Sequence, residues 1–136
     1  MKIESYLFFD GVCEEALNLY KRVLGAEVQI IRYDEAPEKP PPGMVPEGWD
    51  KKVMHANVRV GDAVFMASDG KSAGGPSFNG FGISVSVDDA AQGTRIFEGL
   101  GEGGQVVMPL GKTFFSPLFG MVTDRYGVMW MVIQPQ

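Results

Sequence analysis

The chain has 136 residues, a formal net charge of −5 and 45% hydrophobic residues. That length fits one domain, or one domain built of two halves, and the apolar share supplies a core, which excludes an intrinsically disordered chain. Lys and Arg are scattered in an acidic background, so the electrostatic footprint of a nucleic-acid binder is missing. No apolar run approaches the roughly 20 residues that span a bilayer. The charged first residues and the short Tyr6–Phe9 run do not read as a signal peptide. The single cysteine, Cys13, excludes an internal disulfide and fits a reducing, cytoplasmic setting.

In chain order, the pattern predicts a short first strand over about Ile3–Phe9. A helix follows, with Ala16, Leu17, Tyr20, Val23 and Leu24 on one face. Glu14 and Glu15 sit in its first turn, Lys21 and Arg22 near its end, and Gly25 is its stop. Glu27–Ile31 is β-rich. Asp34–Lys52 is the one long irregular segment and holds five of the nine prolines. A loop of that length reads as a lid, an interface arm or a linker, and Trp49 in it is an apolar anchor that should pack on something. His55–Val60 and Ala63–Ser68 make a hairpin around Gly61-Asp62. Gly70–Gly80, rich in Gly and Ser, reads as a linker.

The same order then recurs. Ile83–Val87 leads through Asp88-Asp89 into a helix over Asp88–Leu100, which Gly93 weakens. Gly101–Gly104 is a turn, Gln105–Met108 a strand, and Phe119–Thr123 and Val128–Ile133 a hairpin around Asp124–Gly127. Leu24-Gly25 recurs as Leu100-Gly101, an offset that lays Ile83 opposite Leu7 and Val85 opposite Phe9. The repeat predicts an α+β fold of two βαβββ modules, about 1–69 and 80–136, joined by a 70–79 linker, with curved mixed sheets around a shared cleft. Alternation sorts the strand faces. Met54, Ala56, Val58 and Val60 are apolar, and His55, Asn57 and Arg59 are polar. Phe81, Ile83, Val85 and Val87 are apolar, and Gly82, Ser84 and Ser86 are small or polar. The helices should cover the apolar faces and leave the others open.

A βαβββ repeat of this length resembles the vicinal oxygen chelate superfamily of glyoxalase I, bleomycin-resistance proteins and extradiol dioxygenases. Particular stretches look like its PhnB-like branch. These are Tyr6-Leu7-Phe8-Phe9-Asp10-Gly11, Ala16-Leu17-Asn18-Leu19-Tyr20 with Leu24-Gly25, Met54-His55-Ala56, Gly61-Asp62 with Met66-Ala67-Ser68-Asp69, and the terminal run from Phe119 through Asp124-Arg125-Tyr126-Gly127 to Val132. Members of that branch often carry a demethylubiquinone methyltransferase label, which the residues do not support. A methyltransferase needs a Gly-rich turn after a strand and before a helix, whereas Gly99–Gly104 follows a helix and Gly70–Gly75 precedes a strand. The resemblance implies a fold, a homodimer, and, in the superfamily's enzymes, a divalent metal held by His, Glu or Gln. Those positions map here onto Tyr6, Met66, Gly82 and Met131, which do not suit such an ion, so no metal and no cofactor are expected. A shifted alignment of the first strand would offer Glu4 as a ligand, and one carboxylate is not a site.

His55, the single histidine, reads either as a general base or anion contact or as an ordinary strand histidine beside Asn57 and Arg59. Arg59 reads as an anion contact or as half of a cross-strand ion pair. Cys13 reads as a packing residue, because Glu14 and Glu15 oppose thiolate formation. Met66, Met129 and Met131, with Tyr6 and Phe8, can line an adaptable apolar pocket, whereas Trp130 reads as core. Gly111-Lys112-Thr113 lacks the glycine spacing of a phosphate loop, and Pro109–Phe115 reads as a loop closing over the cleft. The expected site is therefore Tyr6, Phe8, His55, Asn57, Arg59, Met66, Ser84, Met129 and Met131, with His55 the best catalytic candidate. The expected function is binding, or metal-independent conversion, of a small, mainly apolar molecule in the inter-module cleft. A metal-dependent lyase or dioxygenase with displaced ligands and a protein-interaction module using the Pro-rich arm are the alternatives. No nucleic-acid or membrane partner is expected.

Overall fold

The structure, a computed structural model, describes residues 1–70 and 77–136. The Gly- and Ser-rich linker falls largely on residues outside those described. The chain divides into two compact units, Met1–Pro76 and Ser77–Gln136.

The first unit runs β1 (Tyr6–Phe9), α1 (Cys13–Leu24), β2 (Glu27–Arg32), a 3-10 turn (Tyr33–Glu35), β3 (Val53–Val60) and β4 (Ala63–Asp69). Its sheet order is β1-β4-β3-β2, with β1 parallel to β4 and the other pairs antiparallel. The second unit runs β5 (Ile83–Ser86), α2 (Ala90–Gly101), β6 (Gln105–Gly111), β7 (Leu118–Thr123) and β8 (Met129–Gln134). Its order is β5-β8-β7-β6, with β5 parallel to β8. The expected α+β repeat is thus present, and both units share one connectivity.

Each helix covers one face of its own sheet. Ala16, Leu17, Tyr20 and Val23 of α1 are buried with Leu7, Phe9, Ala56, Val58 and Ala67. Ile96, Phe97 and Leu100 of α2 are buried with Val122, Trp130 and Val132. Gly25 ends α1 in the left-handed region (φ +68°), and its N–H donates to the Lys21 carbonyl. That conformation carries no Cβ penalty for glycine.

Several boundaries move for local reasons. β1 begins at Tyr6, because β4 offers it only Met66 through Asp69 as register partners. α2 begins at Ala90, because the two acids before it form the cap. Asp89 accepts from the Gln92 N–H, and the Gln92 side chain accepts from the Asp88 N–H, both at 2.8 Å. Gly93 does lower helix propensity, yet a Cβ there would stand 2.6 Å from Leu118 Cδ2, so its absence lets α2 approach β7. β6 continues through Pro109–Gly111, which corrects their assignment to a loop. It is an edge strand with two register shifts, a setting that tolerates proline. Val53 is buried against the alternation of β3, because a bulge at Ile31/Arg32 shifts the register there.

The Pro-rich arm folds back on its own unit. The Trp49 ring lies over Gly11, where an added Cβ would be 3.4 Å from it. Lys52 Nζ donates to the Gly11 carbonyl at 2.7 Å, and Lys51 pairs with Asp34. Trp49 therefore has the packing partner its composition demanded.

Candidate functional site

In the first unit, the sheet face opposite α1 carries the residues that alternation left on the open side. Tyr6 pairs with Met66, Met66 with Asn57, and Asn57 with Gln29, so one row crosses all four strands. It changes from aromatic, through thioether, to two amides. Tyr6 and Phe8 stack at 4.6 Å between ring centroids. The Tyr6 hydroxyl lies 3.1 Å from His55 Nδ1. Which of the two groups donates in that hydrogen bond follows from the imidazole tautomer. The sequence offered no partner for His55, and the fold supplies one from β1.

Arg59 donates through Nη2 to Glu27 Oε2 at 2.9 Å, across the β2–β3 ladder where the two are register partners. The cross-strand ion pair weighed for Arg59 is formed, and both side chains remain exposed. Glu27, Gln29, Asn57, Arg59 and Val64 line an open depression of about 360 Å³.

In the second unit, Ser84 pairs with Met131 on β8, and Met131 with Met121 on β7. Met129 pairs with Thr123, and a Cβ on Gly82 would stand 2.8 Å from Met129 Cε. This corrects the mapping from the repeat. The residue beside Gly82, as Met66 is beside Tyr6, is Met129, and Met131 lies two residues further along β8. Ser84, Met129 and Met131 share one sheet, and the other expected site residues share the sheet of the first unit.

A feature that sequence reasoning missed supports the first sheet from below. Asp69, 1% exposed, ends β4. Its carboxylate accepts from the Cys13 N–H at 2.9 Å and the Val53 N–H at 3.1 Å. It thereby ties the start of α1 and the start of β3 to the end of β4, and places a negative group at a helix N-terminus. The Tyr33 hydroxyl donates to the Asp69 carbonyl. Burial, then the nearby Asp69, raises the Tyr33 pKa above the ordinary phenol value. The signal available in sequence was a lone acid at the end of an apolar strand.

Cys13 is fully buried. Burial first, then Asp69, Glu14 and Glu15, push its thiol far above the ordinary range, so the helix start does not make it a nucleophile. Glu14 receives a bidentate contact from Arg32 (3.0 and 2.7 Å), and that hydrogen bonding holds its carboxyl below the usual value.

The donor set does not fit the divalent ion of the superfamily's enzymes. Tyr6 and Met66 occupy neighbouring positions in the first sheet, and Gly82 and Met129 do so in the second. Thioethers are soft ligands and glycine offers none. Glu4 pairs with Lys2 at 3.9 Å. Among the described residues, no group of three His, Cys, Asp or Glu side chains gathers to hold a metal.

A family model described as 3-demethylubiquinone-9 3-methyltransferase matches residues 1–133. The chain belongs to that family. It is the PhnB-like family. Protein YjdN of Escherichia coli K12 is 36% identical over 97% of this chain and 94% of its own length. The crystal structure of PA1353 from Pseudomonas aeruginosa is 40% identical, with a TM-score of 0.87 over 100% of this chain and 98% of that one. A Bacillus cereus structure, described as a 3-demethylubiquinone-9 3-methyltransferase and PhnB protein, is 30% identical, with a TM-score of 0.80 over 98% and 99% of the two chains. The run Gly101–Gly104 leaves a helix for an edge strand rather than leaving a strand for a helix. No described helix is long and apolar enough to cross a membrane.

Proposed function

We propose that this PhnB-like protein binds, or converts without a divalent metal, a small, mainly apolar molecule on the open face of its first sheet. The observation that carries the reading is the row Tyr6–Met66–Asn57–Gln29, flanked by the Tyr6–His55 hydrogen bond. Tyr6, Phe8 and Met66 supply soft apolar contact area, and a few placed polar groups set orientation, as small-molecule sites require. In the converting form, His55 is the group that exchanges a proton, with the Tyr6 hydroxyl hydrogen-bonded to its ring. A thermal-shift screen of metabolite-like compounds, followed by calorimetry, tests this. Met66→Glu puts a charge between Tyr6 and Asn57 and should weaken hits by about tenfold or more, the equivalent of roughly 1.4 kcal/mol. Hits indifferent to Met66→Glu and to Tyr6→Phe place binding elsewhere and defeat the reading.

The same donor set predicts that the purified protein carries no stoichiometric divalent metal. Elemental analysis showing about one zinc, nickel, iron or manganese per chain, lost on His55→Ala, would promote a metal-dependent lyase or dioxygenase instead.

Association into a homodimer is part of the proposal. Val106, Val107 and Met108 stand exposed in succession on the edge strand β6, with Phe114 and Phe115 also exposed. Exposed apolar edges invite pairing with another copy. Sedimentation should give a dimer at micromolar concentration, and a monomer throughout that range would contradict it. A cytoplasmic location is proposed on the same terms as before, from the single buried thiol.

A further inference from the structure

The polar end of the first sheet's open face has a composition that the apolar reading leaves unused. Glu27, Gln29, Asn57, Arg59 and Val64 line the 360 Å³ depression there. Arg59 and Glu27 touch through one nitrogen and one oxygen only, at 2.9 Å. Their side chains are 60% and 73% exposed, so neither is spent on holding the fold. The rest of the guanidinium fork and Glu27 Oε1 remain available among the described residues. Gln29 and Asn57, register partners of each other, bring two carboxamides to the same place.

We propose that this depression is a head-group subsite for a zwitterion of the α-amino acid type, whose apolar side chain lies along the row toward Met66 and Tyr6. The inference rests on the binding reading above and adds the chemical class. The two formal charges decide it. A carboxylate alone meets Arg59 but is repelled by Glu27, and an ammonium alone meets Glu27 but is repelled by Arg59. A head bearing both signs satisfies both, its carboxylate on the guanidinium and an amide N–H, its ammonium on Glu27 Oε1 and an amide oxygen. Strands stand about 4.8 Å apart, so Met66 lies about 5 Å and Tyr6 about 10 Å across the sheet from Asn57. A side chain of roughly six carbons passes Met66 and reaches toward Tyr6. A shorter one leaves the aromatic end of the row uncovered.

The test uses three probes with matched tails: 2-aminooctanoate, octanoate and heptylamine. Binding is read by NMR from the Met66 methyl, the Tyr6 ring and the Asn57 and Gln29 side-chain amides. The zwitterion should bind at least about tenfold more tightly than either singly charged probe. Glu27→Gln and Arg59→Gln, both at exposed positions, should each remove that advantage while the tail still shifts Met66 and Tyr6. If all three probes shift Met66 and Tyr6 with equal affinity, the head-group subsite is overturned and the apolar site stands. A zwitterion advantage that survives both substitutions also overturns it, by placing the head elsewhere. If none of the three moves any resonance on the face, both the subsite and the binding reading fail.

Discussion

Replacing Asp124 by alanine should destabilise the second unit by about 3–5 kcal/mol, the range seen when a buried charged hydrogen-bonding group is removed from its partners. Asp124 sits in the turn between β7 and β8 and is 2% exposed. One carboxylate oxygen accepts from the Tyr126 N–H at 2.8 Å and the Val128 N–H at 3.1 Å. The other accepts from the indole N–H of Trp130 at 2.9 Å. Trp130 is 1% exposed, so water does not reach the indole once the acceptor is gone. An orphaned buried donor costs about 1–3 kcal/mol, and alanine leaves the Val128 N–H and the indole both in that state. Asp124→Asn keeps one acceptor oxygen and should lose visibly less. Urea unfolding followed by Trp fluorescence reports the difference. A loss below about 1 kcal/mol for the alanine variant would mean that the turn relaxes to find other acceptors.

That acid also marks how far the sequence could be read. Asp124-Arg125-Tyr126-Gly127 was legible as a hairpin turn because its partners are neighbours, two to six residues away, and Gly127 takes the positive φ such a turn requires. The repeat was legible for a related reason, since strand and helix periods and the Leu-Gly stops are local patterns. Contacts that join distant strands were not. The Tyr6–His55 hydrogen bond links residues 49 apart, and no local pattern announces it. Arg59 was legible as a charge on the open face, but its partner Glu27 depends on the β2–β3 register. The partner of Gly82 was placed two residues too far along β8, at Met131 rather than Met129, because counting from the turn at Asp124 does not fix the β5–β8 register. Pro109 concealed the end of β6, since an edge strand accepts the residue that usually breaks one. The ligand-poor character of the mapped positions Met66, Gly82 and Met129 or Met131 was visible from residue identity, because they offer only thioethers or no side chain.

The second large effect is expected at Asp69, whose partners lie 56 and 16 residues away. Asp69→Ala should cost about 3–4 kcal/mol, with two buried N–H groups, those of Cys13 and Val53, losing their acceptor. Both residues are fully buried, so solvent does not replace it. The consequence for the site is specific. Val53 opens β3 two residues before His55, and Asp69 closes β4 three residues after Met66, so one carboxylate fixes the strands that carry both side chains. Loosening it should disturb the Tyr6–His55 hydrogen bond at 3.1 Å as well as lower stability. Asp69→Asn separates the two effects. Its single carbonyl oxygen can serve only one of the N–H groups well, so it should retain about half of the stability and still shift the His55 ring resonances. Denaturant unfolding gives the first quantity and ¹H–¹⁵N spectra of the imidazole the second. If Asp69→Ala unfolds at the wild-type midpoint, or if its His55 signals coincide with those of the parent protein, then β3 and β4 hold their register without this carboxylate, and the open face is set by the ladder alone.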